Sequence, residues 1–207
     1  MLYKKGAEAY LFKEEWYGKL VLKKVRIPKS YRHPSLDRSL RAARTIHEAK
    51  ILTETRKLGI ATPIVFFIDV PNTTIIMEFI EGIRVKELLN NSNINHTELC
   101  KKIGRIIGVL HNNNIIHGDL TTSNMILEHE SRKIYLIDFG LAEYSTTIES
   151  RGVDLHLIHR ALQSTHFKIL EDCFNAIKDG YAEIIGRQKA NEVFQRLHEI
   201  EKRGRYH

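Results

Sequence analysis

The chain has 207 residues, of which 43% are hydrophobic and 28% charged, with two cysteines and a formal net charge of +7. That length holds one domain or two small lobes with a real core. It excludes a membrane-spanning class: no apolar run approaches the roughly 18 residues that cross a bilayer, and MLYKKGAEAY is too polar for a secretory signal. A cytoplasmic protein with no membrane partner is expected, and Cys100 and Cys173, without metal-like spacing, read as reduced core thiols. The charge is unevenly placed, because residues 23–44 hold eight Lys and Arg against Asp37 alone, the whole of the +7. Lys202, Arg203 and Arg205 form a smaller cluster at the end, and together these stretches point to a polyanionic partner.

The first 25 residues predict a three-strand meander at 3–5, 9–13 and 19–25, with Tyr17 and Gly18 as a turn. On the third strand Leu20, Leu22 and Lys24 share a face, and a lysine turned inward needs an anionic partner. Lys24 is therefore the candidate phosphate-binding lysine, whereas Lys23 reads as solvated. Before the second strand, GAEAYL keeps only Gly6 of a glycine-rich phosphate loop, and the backbone amides of Gly6, Ala7 and Glu8 would cover phosphates. After the connector KSYRHPSLD, a helix is predicted over 35–58, ended by Gly59. Glu48, Leu52 and Thr55 lie on one face of it. Glu48 is the candidate partner of Lys24; its alternative partner is Arg44, four residues earlier.

Strands follow at 64–70 and 73–79 about Pro71-Asn72. They lead into Met77, Glu78, Phe79 and Ile80, which suit a hinge whose main chain binds an adenine edge. A short helix at 85–89 and a longer one at 95–112, with the capping pattern Asn95 to Glu98, come next. His111 reads as a helix-end residue.

The most informative stretch is IIHGDLTTSNMILEHESRKIYLIDFG, residues 115–140. His117, Gly118, Asp119 and Asn124 share one loop, and Asp138-Phe139-Gly140 follow an apolar strand at 134–137. Two carboxylates and an amide on loops joined by a hairpin suit phosphoryl transfer, which needs metal-bridged phosphates and an oriented acceptor more than covalent chemistry. In that reading Asp119 is the catalytic base, Asn124 and Asp138 are Mg²⁺ ligands, and ATP is the phosphoryl donor. Only thirteen residues, 141–153, separate this motif from Asp154. That is too short for a peptide-docking segment, and Gly118 replaces the arginine that would grip a phosphorylated loop. Asp154 is expected to begin the helix VDLHLIHRAL and to reach back to the catalytic-loop backbone. Two more helices are predicted, at about 166–185 and 189–202.

These features predict an α+β, reduced bilobal protein-kinase-like fold. Residues 1–81 would form a β-rich N-terminal lobe with one long helix, and 82–207 a helical C-terminal lobe carrying the catalytic loop, DFG and basic tail. HGDLTTSN, the IPKSYRHP connector, LIDFGLAEYS, VDLHLIHRAL and the KRGRYH end resemble the small atypical serine/threonine kinase of the KEOPS complex, which takes part in making threonylcarbamoyl-adenosine in transfer RNA. The resemblance spans nearly the whole chain. It implies ATP and Mg²⁺ as cofactors, with Lys24 and Glu48 binding ATP. It also implies ATP hydrolysis in contact with the carbamoyl-transferring subunit, a small further subunit as partner, and tRNA contact through the basic tail. Thr121, where a typical protein kinase has lysine, predicts slow intrinsic turnover. The alternatives are a RIO-like kinase in ribosome maturation and a kinase-fold scaffold without catalysis.

Overall fold

Tyr17 and Gly18, both at positive φ (49° and 71°), close a tight hairpin between β2 (Ala9–Trp16) and β3 (Lys19–Arg26). Left-handed conformations at both turn positions match the twist of the paired strands. The pairing continues to Trp16 opposite Lys19, so β2 runs three residues beyond its expected end. The computed structural model describes residues 1–91 and 94–203, which fall into two compact units, Met1–Glu81 and Gly82–His207.

In the first unit β1 (Leu2–Lys5), β2, β3, β4 (Val65–Asp69) and β5 (Thr74–Glu78) make an antiparallel sheet in the order β1-β2-β3-β5-β4. Helix α1 (Pro34–Lys57) begins with proline, which tolerates the first turn, and stops before Gly59 at φ 82°. It lies against β4 and β5, and its Ile51 and Leu52 are buried, as is Ile75 of β5. Leu20 is 40% exposed whereas Lys24 is 7% exposed, so the expected inward face of β3 begins only beyond Leu20.

The second unit opens with β6 (Gly82–Arg84), which pairs with β8 (Met125–Glu128), itself paired with β9 (Ile134–Leu136). Between them lie α2 (Val85–Leu88), α3 (His96–Asn112) and β7 (Ile115–Ile116). Asn95 caps α3 by accepting the Glu98 N–H at 3.0 Å, the arrangement its sequence pattern predicts. Past β10 (Glu143–Tyr144) the chain is helical: α4 (Ile148–Thr165), α5 (Leu170–Ile185) and α6 (Arg187–Arg203). Residues 167–169, expected as helix, form a 3-10 turn before α5. Helices α3 and α5 approach so closely that a Cβ on Gly104 would lie 2.1 Å from Ile177 O, and one on Gly180 2.0 Å from Lys101 O. Cys100 and Cys173 are free and buried at this crossing.

Helix α4 departs from expectation. It starts at Ile148, where the Thr147 hydroxyl accepts the Ser150 N–H at 3.1 Å. Asp154 therefore sits in the second turn instead of opening the helix.

Candidate functional site

Strand β7 leads into the loop that carries His117, Gly118 and Asp119, and β10 pairs back onto β7, Glu143 opposite Ile116. The loop at 117–124 and the one at 137–142 therefore leave and return to one ladder. A 3-10 turn over Thr122–Asn124 ends the first loop, and the Ile137 N–H donates to Asn124 O at 3.0 Å, tying the second loop to it.

Asp154 holds the first loop from beneath. Its Oδ2 accepts the His117 N–H at 2.8 Å and its Oδ1 the Gly118 N–H at 2.9 Å, while His111 Nε2 lies 3.2 Å from Oδ2. Asp154, His111 and His117 are all fully buried. Burial opposes ionisation of Asp154, but the hydrogen bond from His111 and the loop N–H donors outweigh it and hold the carboxyl below its ordinary 3.8. Tyr181 closes the network, its hydroxyl 3.1 Å from His111 Nδ1, and burial raises its pKa.

His117 fixes the next residue. Its Nε2–H donates to Ile137 O at 3.2 Å, so Nδ1 is left to accept the Asp119 N–H at 3.3 Å. Burial pulls its pKa below 6.5, against the charges of Asp154, Asp138 and Asp119. The ring is thus the neutral Nε2–H form, packed 4.5 Å from the Phe139 ring. Those three carboxylates act on one imidazole, which places Asp119 and Asp138 in the same neighbourhood.

Asn124 Nδ2 donates to Asp119 O at 2.9 Å and to Asp119 Oδ2 at 2.8 Å. Both amide hydrogens are engaged, so the carbonyl oxygen is the Asn124 atom left to offer a cation. Asp138, exposed, takes φ 64°, a left-handed conformation that aspartate tolerates better than most residues. One amide oxygen and carboxylates are hard oxygen donors of the kind Mg²⁺ requires. Gly118 has φ 75°, and a Cβ there would lie 2.2 Å from Leu141 O. A side chain at this position is therefore excluded by the backbone of the following loop, beyond the loss of the arginine charge.

In the first unit Lys24 Nζ lies 2.6 Å from Glu48 Oε1 and Arg26 Nη2 2.5 Å from Glu48 Oε2. Glu48 is 1% exposed and joins two cations of one strand face. Arg44 pairs instead with Glu8 at 2.9 Å. The Gly6 N–H donates to Ala9 O at 2.9 Å, which removes it as a phosphate donor, and the Glu78 N–H is likewise committed, to Ile64 O at 2.8 Å. Met77 and Ile80 are buried, and the Phe79 ring lies under Lys13 Nζ at 4.1 Å.

Several cations of the basic segment have partners within its own unit. Lys23 lies 3.7 Å from Glu14, Arg32 3.8 Å from Asp37 and Arg41 2.7 Å from Asp37, and Lys29 donates to Ala7 O. Arg38 is exposed. Of the terminal cluster, Lys202 and Arg203 fall in the last turn of α6, with Arg203 3.3 Å from Glu149, and Arg205 lies outside the described residues. Four carboxylates, Glu8, Glu14, Asp37 and Glu48, thus serve the eight Lys and Arg of this segment, which keeps a positive excess.

Several residues were not legible from sequence. Arg26 carried a usable signal, since it lies two positions beyond Lys24 and so on the same strand face. His111 and Tyr181 carried none, because their partners, Asp154 for His111 and His111 for Tyr181, are remote in sequence. Arg84, which donates to Ser123 O at 3.3 Å and braces the 3-10 turn, is a second such case.

Residues 5–158 match the protein kinase domain family. The chain is 48% identical to "KEOPS complex subunit Bud32" of Pyrococcus abyssi, over 99% of this chain and 96% of that protein. It is 37% identical to "EKC/KEOPS complex subunit bud32" of Dictyostelium discoideum, with 99% and 82% covered. A "Probable bifunctional tRNA threonylcarbamoyladenosine biosynthesis protein" of Methanothermobacter thermautotrophicus is 39% identical, and there the chain spans only 36% of the relative's length. Among solved structures, the Rio2 kinase of Chaetomium thermophilum, in a complex with ADP, Mg²⁺ and phosphoaspartate, superposes with a TM-score of 0.66 at 15% identity, covering 96% of this chain and 70% of that one. At that identity the likeness shows the fold alone. The chain has the protein-kinase fold and belongs to the Bud32 family.

Proposed function

We propose that this chain is an ATP- and Mg²⁺-dependent phosphotransferase that works as the kinase-fold subunit of a KEOPS-type complex in tRNA threonylcarbamoyl-adenosine modification. The observation that carries the chemistry is the double hydrogen bond from Asn124 to Asp119, which sets a carboxylate and an amide oxygen side by side. The complex is supported by the 48% identity, over nearly full length, to a protein named as a KEOPS subunit.

Mg²⁺ supplies charge neutralisation between phosphates. In this reading Asn124 and Asp138 hold it through oxygen. Asp119 Oδ2 takes the Asn124 amide, which leaves Oδ1 to accept the proton of a serine or threonine hydroxyl, or of water. Lys24, oriented by Glu48, binds phosphate oxygens, and the backbone of the Met77 to Ile80 segment reads the adenine edge, with the Glu78 N–H excluded. Gly6 contributes no N–H of its own; Ala7 and Glu8 are the remaining donors of that turn. Thr121 keeps intrinsic turnover slow, so contact with the carbamoyl-transferring subunit would set the rate. Lys202, Arg203 and Arg205 are the residues proposed to touch tRNA.

The test is nucleotide binding by titration calorimetry with and without Mg²⁺. ATP should bind in a Mg²⁺-dependent manner, and Lys24→Met should weaken it at least ~10-fold, the loss of one charge-assisted contact. Equal affinity with and without Mg²⁺, unaffected by Lys24→Met, would refute the reading. The RIO-like alternative rests on fold likeness only and has no such site-specific support.

A further inference from the structure

His156 and His159 stand three residues apart on α4, one face of one turn, and Glu201 faces them from the last turn of α6. One potential ligand atom from each lies within 4.8 Å of the other two, and all three residues are half-buried. Glu201 Oε1 lies 2.6 Å from His159 Nδ1 and 3.9 Å from His156 Nδ1. Neither Glu201 Oε1 nor His156 Nδ1 makes a hydrogen bond, although both atoms are shut off from solvent. A simple surface ion pair would leave these atoms in water or aligned on a shared proton. Here an unpartnered nitrogen of α4 and an unpartnered carboxylate oxygen of α6, both buried, lie 3.9 Å apart.

We propose that His156, His159 and Glu201 form a binding site for a divalent transition-metal ion of the zinc class, separate from the Mg²⁺ residues at Asn124 and Asp138. Two imidazoles and one carboxylate with an open fourth position are a zinc-type donor set, while Mg²⁺ prefers oxygen and water throughout. Tetrahedral bonds of about 2.0–2.1 Å put ligand atoms about 3.3 Å apart, so the 2.6 Å separation must widen by about 0.7 Å and the 3.9 Å one close by about 0.6 Å. Side-chain rotation suffices for that. Arg160 acts on the same site as a repelling charge for an incoming cation, and the Glu201 carboxylate opposes it. The ion would clamp the end of α6, two residues before Arg203, onto α4, whose Gly152 packs directly on Ile200. It would thereby fix the position from which the basic terminal residues depart.

The test uses the full chain, with any affinity tag removed. Co²⁺ is titrated by visible absorption, Zn²⁺ by competition, and thermal unfolding is followed with each. One equivalent of Co²⁺ should give a d–d spectrum displaced by Zn²⁺ and not by Mg²⁺. Zn²⁺ at a hundredfold excess over Kd should raise Tm by about 5 °C. His156→Gln and Glu201→Gln should each weaken binding at least ~10–100-fold with the circular dichroism spectrum unchanged, while His198→Gln, an exposed histidine of α6, should leave it intact. No stoichiometric Co²⁺ spectrum in the parent chain, or binding unchanged in both ligand variants, would overturn the proposal. So would an equal loss in His198→Gln, which would show scattered surface histidines instead.

Discussion

Asp154 Oδ1 accepts the Gly118 N–H at 2.9 Å, a bond between a buried carboxylate on α4 and the residue just before the proposed catalytic base. With the bond from His117 N–H at 2.8 Å, it makes Asp154 the anchor of the loop. In Asp154→Asn one oxygen becomes an NH₂ facing a donor. A buried N–H is left unsatisfied at about 1–3 kcal/mol, and the pairing with His111 weakens as well. Urea unfolding should show a loss of about 3 kcal/mol. A loss below about 0.5 kcal/mol would mean that water or a neighbour replaces the carboxylate.

The same network sets a pH dependence. His117 is held below its ordinary 6.5, chiefly by burial, and His156 and His166 are shifted the same way by burial first. A folded pKa below the unfolded one means that the unfolded chain binds protons more readily, so stability rises with pH up to about 6.5 and levels off above it. Asp154 adds a second window with the depressed-carboxylate sign: its contribution is present above 3.8 and lost as pH falls below that. The urea midpoint should therefore be lower at about pH 5.5 than at about pH 7.5. Equal midpoints would contradict neutral buried histidines.

Glu48 faces Lys24 and Arg26 at 2.6 and 2.5 Å, and all three side chains are less than a tenth exposed. Glu48→Ala leaves two buried cations without their shared anion, at a cost of about 3–5 kcal/mol. Glu48→Gln keeps an acceptor oxygen and should cost less. Nucleotide affinity should fall in both, since Lys24 loses the group that orients it. Guanidinium unfolding of the two variants measures the order, and a Gln variant less stable than the Ala variant would oppose it.

Gly118→Ala tests sterics instead of charge. With φ 75° and a Cβ 2.2 Å from Leu141 O, the two loops must separate. Displacing Asp119 by even about 1 Å should lower turnover about 100-fold. The strain adds about 1–2 kcal/mol of destabilisation. Unchanged turnover would show that the loop position is not critical.

Much of this site was legible because its signals are local. The spacing of Asp119, Asn124 and Asp138 lies in one hairpin, Asn95 and Glu98 in one helical turn, and Glu48 with Leu52 and Thr55 on one helix face. What was illegible depends on contacts remote in sequence. His111 looked like a helix end because Asp154 is 43 residues away. Gly118 read as a missing arginine because the approach of Leu141 is a tertiary fact. Helix α4 was expected late because IESRG lacks an apolar stripe, and its start depends on the Thr147 cap. The pairing of the basic stretch was also illegible, because sequence counts charges without their partners, and Glu8, Glu14 and Glu48 lie outside it.

The most direct test of the proposed function is Mg²⁺-dependent ATP turnover by the chain alone and with the carbamoyl-transferring subunit proposed as its partner, each with Asp138→Asn as control. Asparagine tolerates the left-handed conformation of Asp138 and removes only the charge. Turnover should be slow alone, rise when the partner is added, and vanish in the variant in both conditions. Turnover of the isolated chain at ordinary protein-kinase rates of about 1–100 s⁻¹, or partner-stimulated turnover that survives Asp138→Asn, would contradict it.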